Sequence, residues 1–531
     1  MVQILGQLFF CNSLRQVDKM PDSALKTTVW ILGDQLNPGI SSLAGIDESE
    51  CVVLMIESLA RARQRPYHKQ KLVFIWSAMR HFAQELRELG YQVDYYEAQP
   101  NLEVGLNAHF KKYCPSRLRL METAEHGRSA RLVDLVEKHD FPVEVTPNNM
   151  FLSQRAEFAR SARGKKSLLM EQFYRHMRRQ TGLLMNGDEP EGGHWNYDKL
   201  NRQRPPASYV YPPVPRYGPD QITQAVIELV GPEFPEHFGE LGNFWLPVTR
   251  QDARHFAHDF FENRLDLFGP YEDAIVVGEP SLFHSLLSPL LNVGLLEPLE
   301  ICRQAEARYY TGQARLNSVE GFIRQIIGWR EFIYQIYHLK MPGYAEANHF
   351  ATDLSLPDFY WSGETDMSCV ADAVGNLQRY GLNHHIQRLM ITGNFALIAG
   401  IDPQAVNDWY WSAYADAYEW VVTPNVLGMA LYADGGLLAT KPYAASANYI
   451  NKMSNCCAGC VYNHREIVGD SACPFNALYW DFLARNYPTL NQNPRLNLVM
   501  ALYDKRDPDQ MQAIRRRAAE IRGKLQQRER V

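Results

Sequence analysis

The residues best suited to chemistry are cysteines gathered late in the chain. The segment Asn455–Trp480 carries four of the nine cysteines. Cys457 and Cys460 form a C-x-x-C pair, and Cys473 follows 13 positions later with Pro474 directly behind it. A short loop of this kind folds thiolates onto one soft metal centre. Spacing alone serves a structural zinc ion and an iron–sulfur cluster equally, and the local motif lacks a fourth ligand. A disulfide pair is the weakest reading, because nine unevenly spaced cysteines point to a reducing compartment.

Three further groups stand out. His284-Ser285-Leu286-Leu287-Ser288-Pro289 precedes an apolar helical stretch, and hydroxyls and backbone N–H groups at a helix start suit an anion. His385 and Arg388, three apart, share one helix face, and Asp416 follows Arg388 by 28 positions. Glu419 lies three positions further on, in the same segment Ala415–Trp420. Residues 155–179 contain eight Lys/Arg against two Glu, with Phe158, Phe173 and Tyr174 interleaved. Arg160, Arg163, Lys165 and Lys166 lie in this strip, which suits a phosphate backbone or forms a plain solvated face.

These residues need a scaffold, and the pattern supplies two kinds. β-Branched and apolar runs at Thr27–Leu32, Cys51–Glu57, Gln92–Glu97, Leu118–Met121 and Val143–Val145 alternate with helical periodicity at Lys71–Leu89 and Ser129–His139. That alternation predicts a doubly wound parallel sheet, with ligands at the carboxyl ends of its strands. Gly33-Asp34-Gln35 falls at such an end, although Asp34 also suits an ordinary turn or helix cap, and no G-x-G-x-x-G is present. Beyond Pro147 come the basic strip, the polar and aromatic Gly192–Arg202, and the proline-rich Pro205–Pro219. Helical patterning then dominates, as at Leu295–Tyr309, Ser318–His338, Cys369–Ala399 and Val406–Glu419. The expected organisation is an N-terminal extension of residues 1–26, poorly ordered; an α/β domain over 27–147; a linker over 148–220; and an all-helical domain over 221–531.

The net charge of −6 gives no global nucleic-acid signal, so any DNA contact has to be local. No run of about 18 apolar residues is present, so no membrane span is expected. Aromatic residues make up 12% of the chain, which suits large cores and equally suits stacking or electron transfer.

The order of motifs resembles the photolyase–cryptochrome flavoproteins, and specifically the iron–sulfur bacterial cryptochromes and photolyases, the prokaryotic (6-4) photolyases. The phrases GDQL, SAMRHF, WNYDKLNR, GWREF, RLMITGNF and TKPYAASANYINKMS occur in that family's order, from about Thr28 to the last helices. The resemblance implies the photolyase/cryptochrome fold, with FAD in the helical domain. It implies a 4Fe–4S cluster on Cys369, Cys457, Cys460 and Cys473; the family pattern selects Cys457 over its neighbour Cys456. By the same resemblance His284, Ser285, Leu286, Leu287 and Ser288 wrap the FAD phosphates, and Arg388 and Asp416 pair beside the isoalloxazine. Trp361, Trp409 and Tyr410 match its electron-transfer aromatics. His385 and Tyr443 match its lesion pocket, with Asp198 and Arg202 close by. Gly33, Asp34, Gln35 and Glu57 match a site for a 6,7-dimethyl-8-ribityllumazine antenna. The chain departs from the pattern at Arg61, where an acid is expected, and at Val422, where a polar side chain usually faces the flavin N5 edge.

The function implied is light-driven repair of a (6-4) pyrimidine photoproduct flipped out of double-stranded DNA. The enzyme would be a cytoplasmic bacterial monomer without a membrane partner. Alternatives are a blue-light photoreceptor with the same cofactors, a cyclobutane-dimer photolyase, and a zinc-stabilised nucleic-acid-binding protein.

Overall fold

The computed structural model describes residues 26–139, 141–165, 167–206 and 209–531. The expected N-terminal extension, save for Lys26, lies outside the described residues, as does Lys166. The chain divides into two compact units. Among the described residues, one comprises 26–64 and 75–150, the other 65–74 and 151–531. The segment 151–220 thus folds within the second unit.

The first unit is built on five parallel strands: β1 (Thr27–Trp30), β2 (Cys51–Ser58), β3 (Gln92–Gln99), β4 (Arg117–Met121) and β5 (Val143–Thr146). They lie in the order β3-β2-β1-β4-β5. Every residue of β1 and β2 is buried, which explains why both read as β-branched and apolar runs, but for Glu57 and Ser58 at the end of β2, and not as alternating ones. Trp30, Leu54, Ile56, Leu118 and Leu120 form the core with Leu106, Phe110, Leu132 and Val136 of the flanking helices. The order reverses beside β1. The loops after β1 and β4 therefore flank the crevice in which doubly wound sheets bind ligands. Gly33 is fixed there by close approach. A Cβ on it would stand 2.9 Å from Ile75 Cγ2.

The second unit is almost wholly helical, as the periodicity predicts. Two expected helices prove discontinuous. The stretch 369–399 is a helix Ser368–Tyr380, a break, and a second helical run. Gly381, at φ 68°, caps the first helix in the left-handed region and ends it. The stretch 406–419 ends at Ala413, because Tyr414 turns extended, and this frees a loop that holds Asp416. Three helical runs contain a π turn, at Arg324–Arg330, Gln387–Gly393 and Pro424–Ala430. Such turns carry one residue more per turn than the α-helix and concentrate at functional sites. Among the described residues no helix is long and apolar enough to cross a membrane.

Candidate functional site

The π turn Gln387–Gly393 carries Arg388. Its guanidinium makes a bidentate pair with Asp416, Nη1 to Oδ1 and Nη2 to Oδ2, each 3.0 Å. Nε donates to the carbonyl of Asn383 at 2.9 Å, and the guanidinium lies 4.2 Å from the centre of the Tyr414 ring. Ser288 Oγ donates to Asp416 Oδ2 at 2.6 Å, and Asn292 Nδ2 to the Asp416 carbonyl at 2.9 Å. The pair is thus held on three sides and mostly buried, with side-chain exposures of 23% and 8%. Geometry of this quality keeps a charge pair stable where water is scarce.

The loop leading to Ser288 carries strained backbone. Leu282 and Leu286 stand at φ 44° and 58°, a region that branched side chains rarely adopt. His284 stacks on His384, ring centres 4.5 Å apart and planes within 5°. Burial pushes the His284 pKa down to about 3 and the His384 pKa well below its usual range. Both rings are neutral at pH 7. His284 Nε2 and both ring nitrogens of His384 are buried without a hydrogen-bond partner. Buried polar atoms of this kind cost roughly 1–3 kcal/mol each unless something satisfies them. Beside a fixed charge pair they suit a polar, planar ligand such as FAD.

His385 is exposed, yet its crowded surroundings and then Arg388 lower its pKa to about 4. It therefore presents a neutral imidazole at pH 7. An aromatic path leaves this centre. Tyr410 Oη donates to the Arg388 carbonyl at 2.6 Å and stacks on Tyr414 at 5.2 Å. Trp409 is fully buried, 4.9 Å from Tyr410 and 4.9 Å from Tyr360, and its Nε1 donates to the Tyr360 carbonyl. Trp361, next along the chain, is half-buried against Phe238. Sequence reasoning finds Trp361, Trp409 and Tyr410 but misses Tyr360 and Tyr414. The four-residue step from Tyr410 to Tyr414 is the available signal.

Asp198 and Arg202 form an ion pair, and Arg324 approaches Asp198 at 3.4 Å. Glu272, Asp273 and Tyr443 join this group electrostatically. Burial, opposed by Arg324, raises the Glu272 pKa to about 8, and burial raises Asp273 to about 6. Tyr443 is 38% exposed, and burial followed by Asp198 raises its pKa. Nothing in the spacing links Glu272 to Asp198, 74 positions earlier, so the sequence does not reveal this cluster. In the basic strip Arg160, Arg163 and Lys165 are exposed. Arg178 is fully buried, donating to the carbonyls of Leu183, Leu184 and Trp195, and Arg175 pairs with Glu171. Only part of the strip is free to meet phosphates. The backbone N–H of Leu168 anchors it to the Leu437 carbonyl at 3.4 Å, a few residues before Tyr443.

Cys369, Cys456, Cys457, Cys460 and Cys473 line one cavity, with Met367, Ile450, Tyr462 and Phe475 among its other walls. All five are free thiols. Among the described residues no three His, Cys, Asp or Glu side chains form a group that could hold a single metal ion. A cluster differs from an ion in holding its thiolates apart, and five cysteines lining one largely apolar cavity, Cys456 buried and the other four partly so, are a donor set that fits one.

In the first unit Gly33, Asp34 and Gln35 follow β1, and Glu125 follows β4 across the crevice. Gln35 Nε2 donates to the Met121 carbonyl at 3.1 Å, so its amide ties the two loops together. Arg61 pairs with Glu125, which Arg128 also reaches at 3.2 Å. The cation that breaks the expected pattern thus has its own acid. Asp34 lies buried among these charges, and desolvation raises its pKa. Glu57 does not join them. Its oxygens accept from Arg80 at 2.8 and 3.0 Å, Tyr95 Oη at 2.7 Å and the Ala98 N–H at 2.9 Å.

Residues 29–246 match the family model of deoxyribodipyrimidine photo-lyase-related proteins. The chain is 48% identical, over 502 residues, to a (6-4) photolyase of Agrobacterium fabrum strain C58, covering 94% of this chain and 99% of that one. Its fold matches a bacterial class III photolyase from Agrobacterium tumefaciens with a TM-score of 0.57 at 16% identity, over 81% of this chain and 83% of that one. It also matches the Synechocystis sp. PCC6803 cryptochrome with a TM-score of 0.59 at 14% identity, over 82% and 87% of the two chains. The near-full-length identity and the shared photolyase/cryptochrome fold lead to one conclusion: this chain belongs to the bacterial (6-4) photolyase family.

Proposed function

We propose that this protein is a light-driven DNA repair enzyme that acts on (6-4) pyrimidine photoproducts. The observation that carries the reading is the buried Arg388–Asp416 pair, flanked by unsatisfied histidine nitrogens and joined to an aromatic path toward solvent. It is supported by the near-full-length likeness to a (6-4) photolyase. FAD, when bound and reduced, supplies a light-excitable electron donor. Arg388 and Asp416 would hold it by fixed charge, and His284 and His384 have free nitrogens to offer its polar atoms. Ser285, Leu286 and Leu287 would contribute backbone N–H groups to its phosphates. Ser288 is committed to Asp416 and acts chiefly as a brace.

Trp361, Tyr360, Trp409 and Tyr410 form the route by which electrons enter from solvent. His385, neutral at pH 7, would offer an N–H to a flipped base, and Tyr443, Asp198 and Arg202 would give it further polar contacts. Arg160, Arg163 and Lys165, with Lys166, would neutralise phosphates of double-stranded DNA. Flipping the lesion is the general route for enzymes that work on a base, and photolyases are among its standard examples. A 4Fe–4S cluster on Cys369, Cys457, Cys460 and Cys473 would clasp the segments around the flavin helices. In the first unit, Gly33, Asp34 and Gln35, with the Arg61–Glu125 pair beside them, would read the polar edge of a lumazine. Glu57 would support the site only indirectly. The chain is expected to act as a monomer in the bacterial cytoplasm.

The test is repair under blue light of an oligonucleotide carrying one (6-4) photoproduct, with the flavin fully reduced. Restored pyrimidines are expected. A flavin-loaded protein that leaves the lesion intact, while a cyclobutane dimer is split in parallel or neither lesion changes, would refute the assignment.

A further inference from the structure

The cluster cavity holds one thiol more than a 4Fe–4S cluster uses. Cys456 lies immediately before Cys457, is 3% exposed and lines the same cavity as the four expected ligands. Cys457, by contrast, is only half-buried. Both residues sit on the 3₁₀ turn Cys456–Gly459, whose neighbour across the cavity is the helix Ser368–Tyr380, with Cys369 in its first turn. The turn is short of bulk. Ala458 and Gly459 follow the two cysteines, and a side chain added at Gly459 would meet open space. Its start is anchored, since the Cys456 N–H donates to Ser454 Oγ at 3.2 Å and Ser454 Oγ donates to the Ile450 carbonyl at 2.6 Å. The two thiols thus lie on one short turn beside the same cavity, where a local rotation of that turn would exchange one for the other.

Spacing permits the exchange. Using Cys457 gives C-x2-C with Cys460, and using Cys456 gives C-x3-C, which lies between the two- and four-residue spacings found in cluster loops. A buried thiol beside a cluster is also better shielded from solvent than the one it would replace.

We propose that Cys456 is an alternative fourth ligand, so that Cys456 and Cys457 back each other up on the same iron. This rests on the reading that the cavity holds a 4Fe–4S cluster. The exchange is a ligand substitution: one thiolate leaves the iron and takes a proton as the other gives up its proton and binds, with no change of oxidation state.

The test uses the full chain purified without oxygen, as wild type, Cys456→Ser, Cys457→Ser and the double variant. Iron and acid-labile sulfide are measured alongside flavin, released separately by heating. About four irons per chain are expected for the wild type and for both single variants, and less than about one for the double variant. A Cys457→Ser protein that is iron-free or insoluble, beside a Cys456→Ser protein that keeps its iron, overturns the proposal. So does a double variant that keeps its iron, or a Cys456→Ser protein that loses it. A wild type without iron removes the cluster itself, and that result is distinct from all of these.

Discussion

Glu57 and Glu125 of the α/β unit and His284 and His384 of the helical unit differ in how far their buried polar atoms are satisfied. In the α/β unit Glu57 spends both oxygens on Arg80, Tyr95 and Ala98, and Glu125 spends both on Arg61 and Arg128. In the helical unit His284 and His384 keep three buried nitrogens unpaired. A closed network contributes to stability and asks for nothing more. An open one is costly until a ligand completes it. The contrast favours the helical unit as the seat of the chemistry and leaves Asp34 as the main group in the α/β unit that a ligand would relieve.

The largest expected effect comes from Asp416→Ala. It strands Arg388 in a mostly buried position, which should cost about 3–5 kcal/mol and empty the site of flavin. Thermal unfolding and flavin absorbance would record both, and a yellow protein of unchanged Tm would break the contrast. Glu57→Ala should cost less, about 1–3 kcal/mol, because Tyr95 Oη and the Ala98 N–H lose their buried acceptor while Arg80 keeps Glu97, and flavin and repair should be retained. Loss of flavin there would show that the closed network is not separate from the site. His385→Ala should leave stability and flavin alone and slow repair by about 10²-fold. Single-turnover repair would measure this, and full repair would demote the imidazole to packing.

The smallest effects are on pH dependence, and they have opposite signs. Glu272 has its folded pKa raised to about 8, so its contribution is greatest below the unfolded value near 4.5 and declines as pH rises toward 8. Glu272→Gln should therefore stabilise the protein at pH 8, by about 1–2 kcal/mol. Asp94 runs the other way. Burial works against its charge, but hydrogen bonds from His109 and Lys112 outweigh it and lower the pKa to about 2. Its contribution, about 2 kcal/mol, is present above pH 4 and lost as pH falls toward 2. Melting curves of Glu272→Gln and Asp94→Asn across pH 2–9 separate the two. Parallel curves for both variants would remove the distinction between the units.

Much of this scaffold is legible in the sequence because burial leaves a direct imprint. β1 and β2 read as β-branched and apolar runs, but for Glu57 and Ser58 at the end of β2, since both their faces are buried. The cysteine loop reads as a metal site because thiol spacing is itself the geometry. The Arg388–Asp416 pair is legible only with the resemblance, since 28 positions and a helix break lie between its members. The cluster of Asp198, Glu272 and Arg324 leaves no local pattern, because its members come from three distant segments. Glu57 is marked for a ligand by the resemblance alone, and no local pattern announces that Arg80, on the helix that follows, pairs with it. The break at Gly381 and the three π turns are hidden for another reason. A helical periodicity read over 30 residues tolerates a single extra residue without losing its face.

That tolerance has a consequence at Gln387–Gly393. An extra residue held in a helix is absorbed by widening one turn, so the segments on either side keep their facing. Deleting one residue after Arg388, for instance Ile391, would let the turn relax to an α-helix at almost no cost in hydrogen bonds. The flanking segments would stay nearly in phase, and only the bulged turn would close. Arg388 sits on that turn, so its direction toward Asp416 would change while the helix stayed intact. The same stretch can thus accept substitutions on its solvent side yet be unforgiving of length, so its residue count, more than its composition, sets where the charge points.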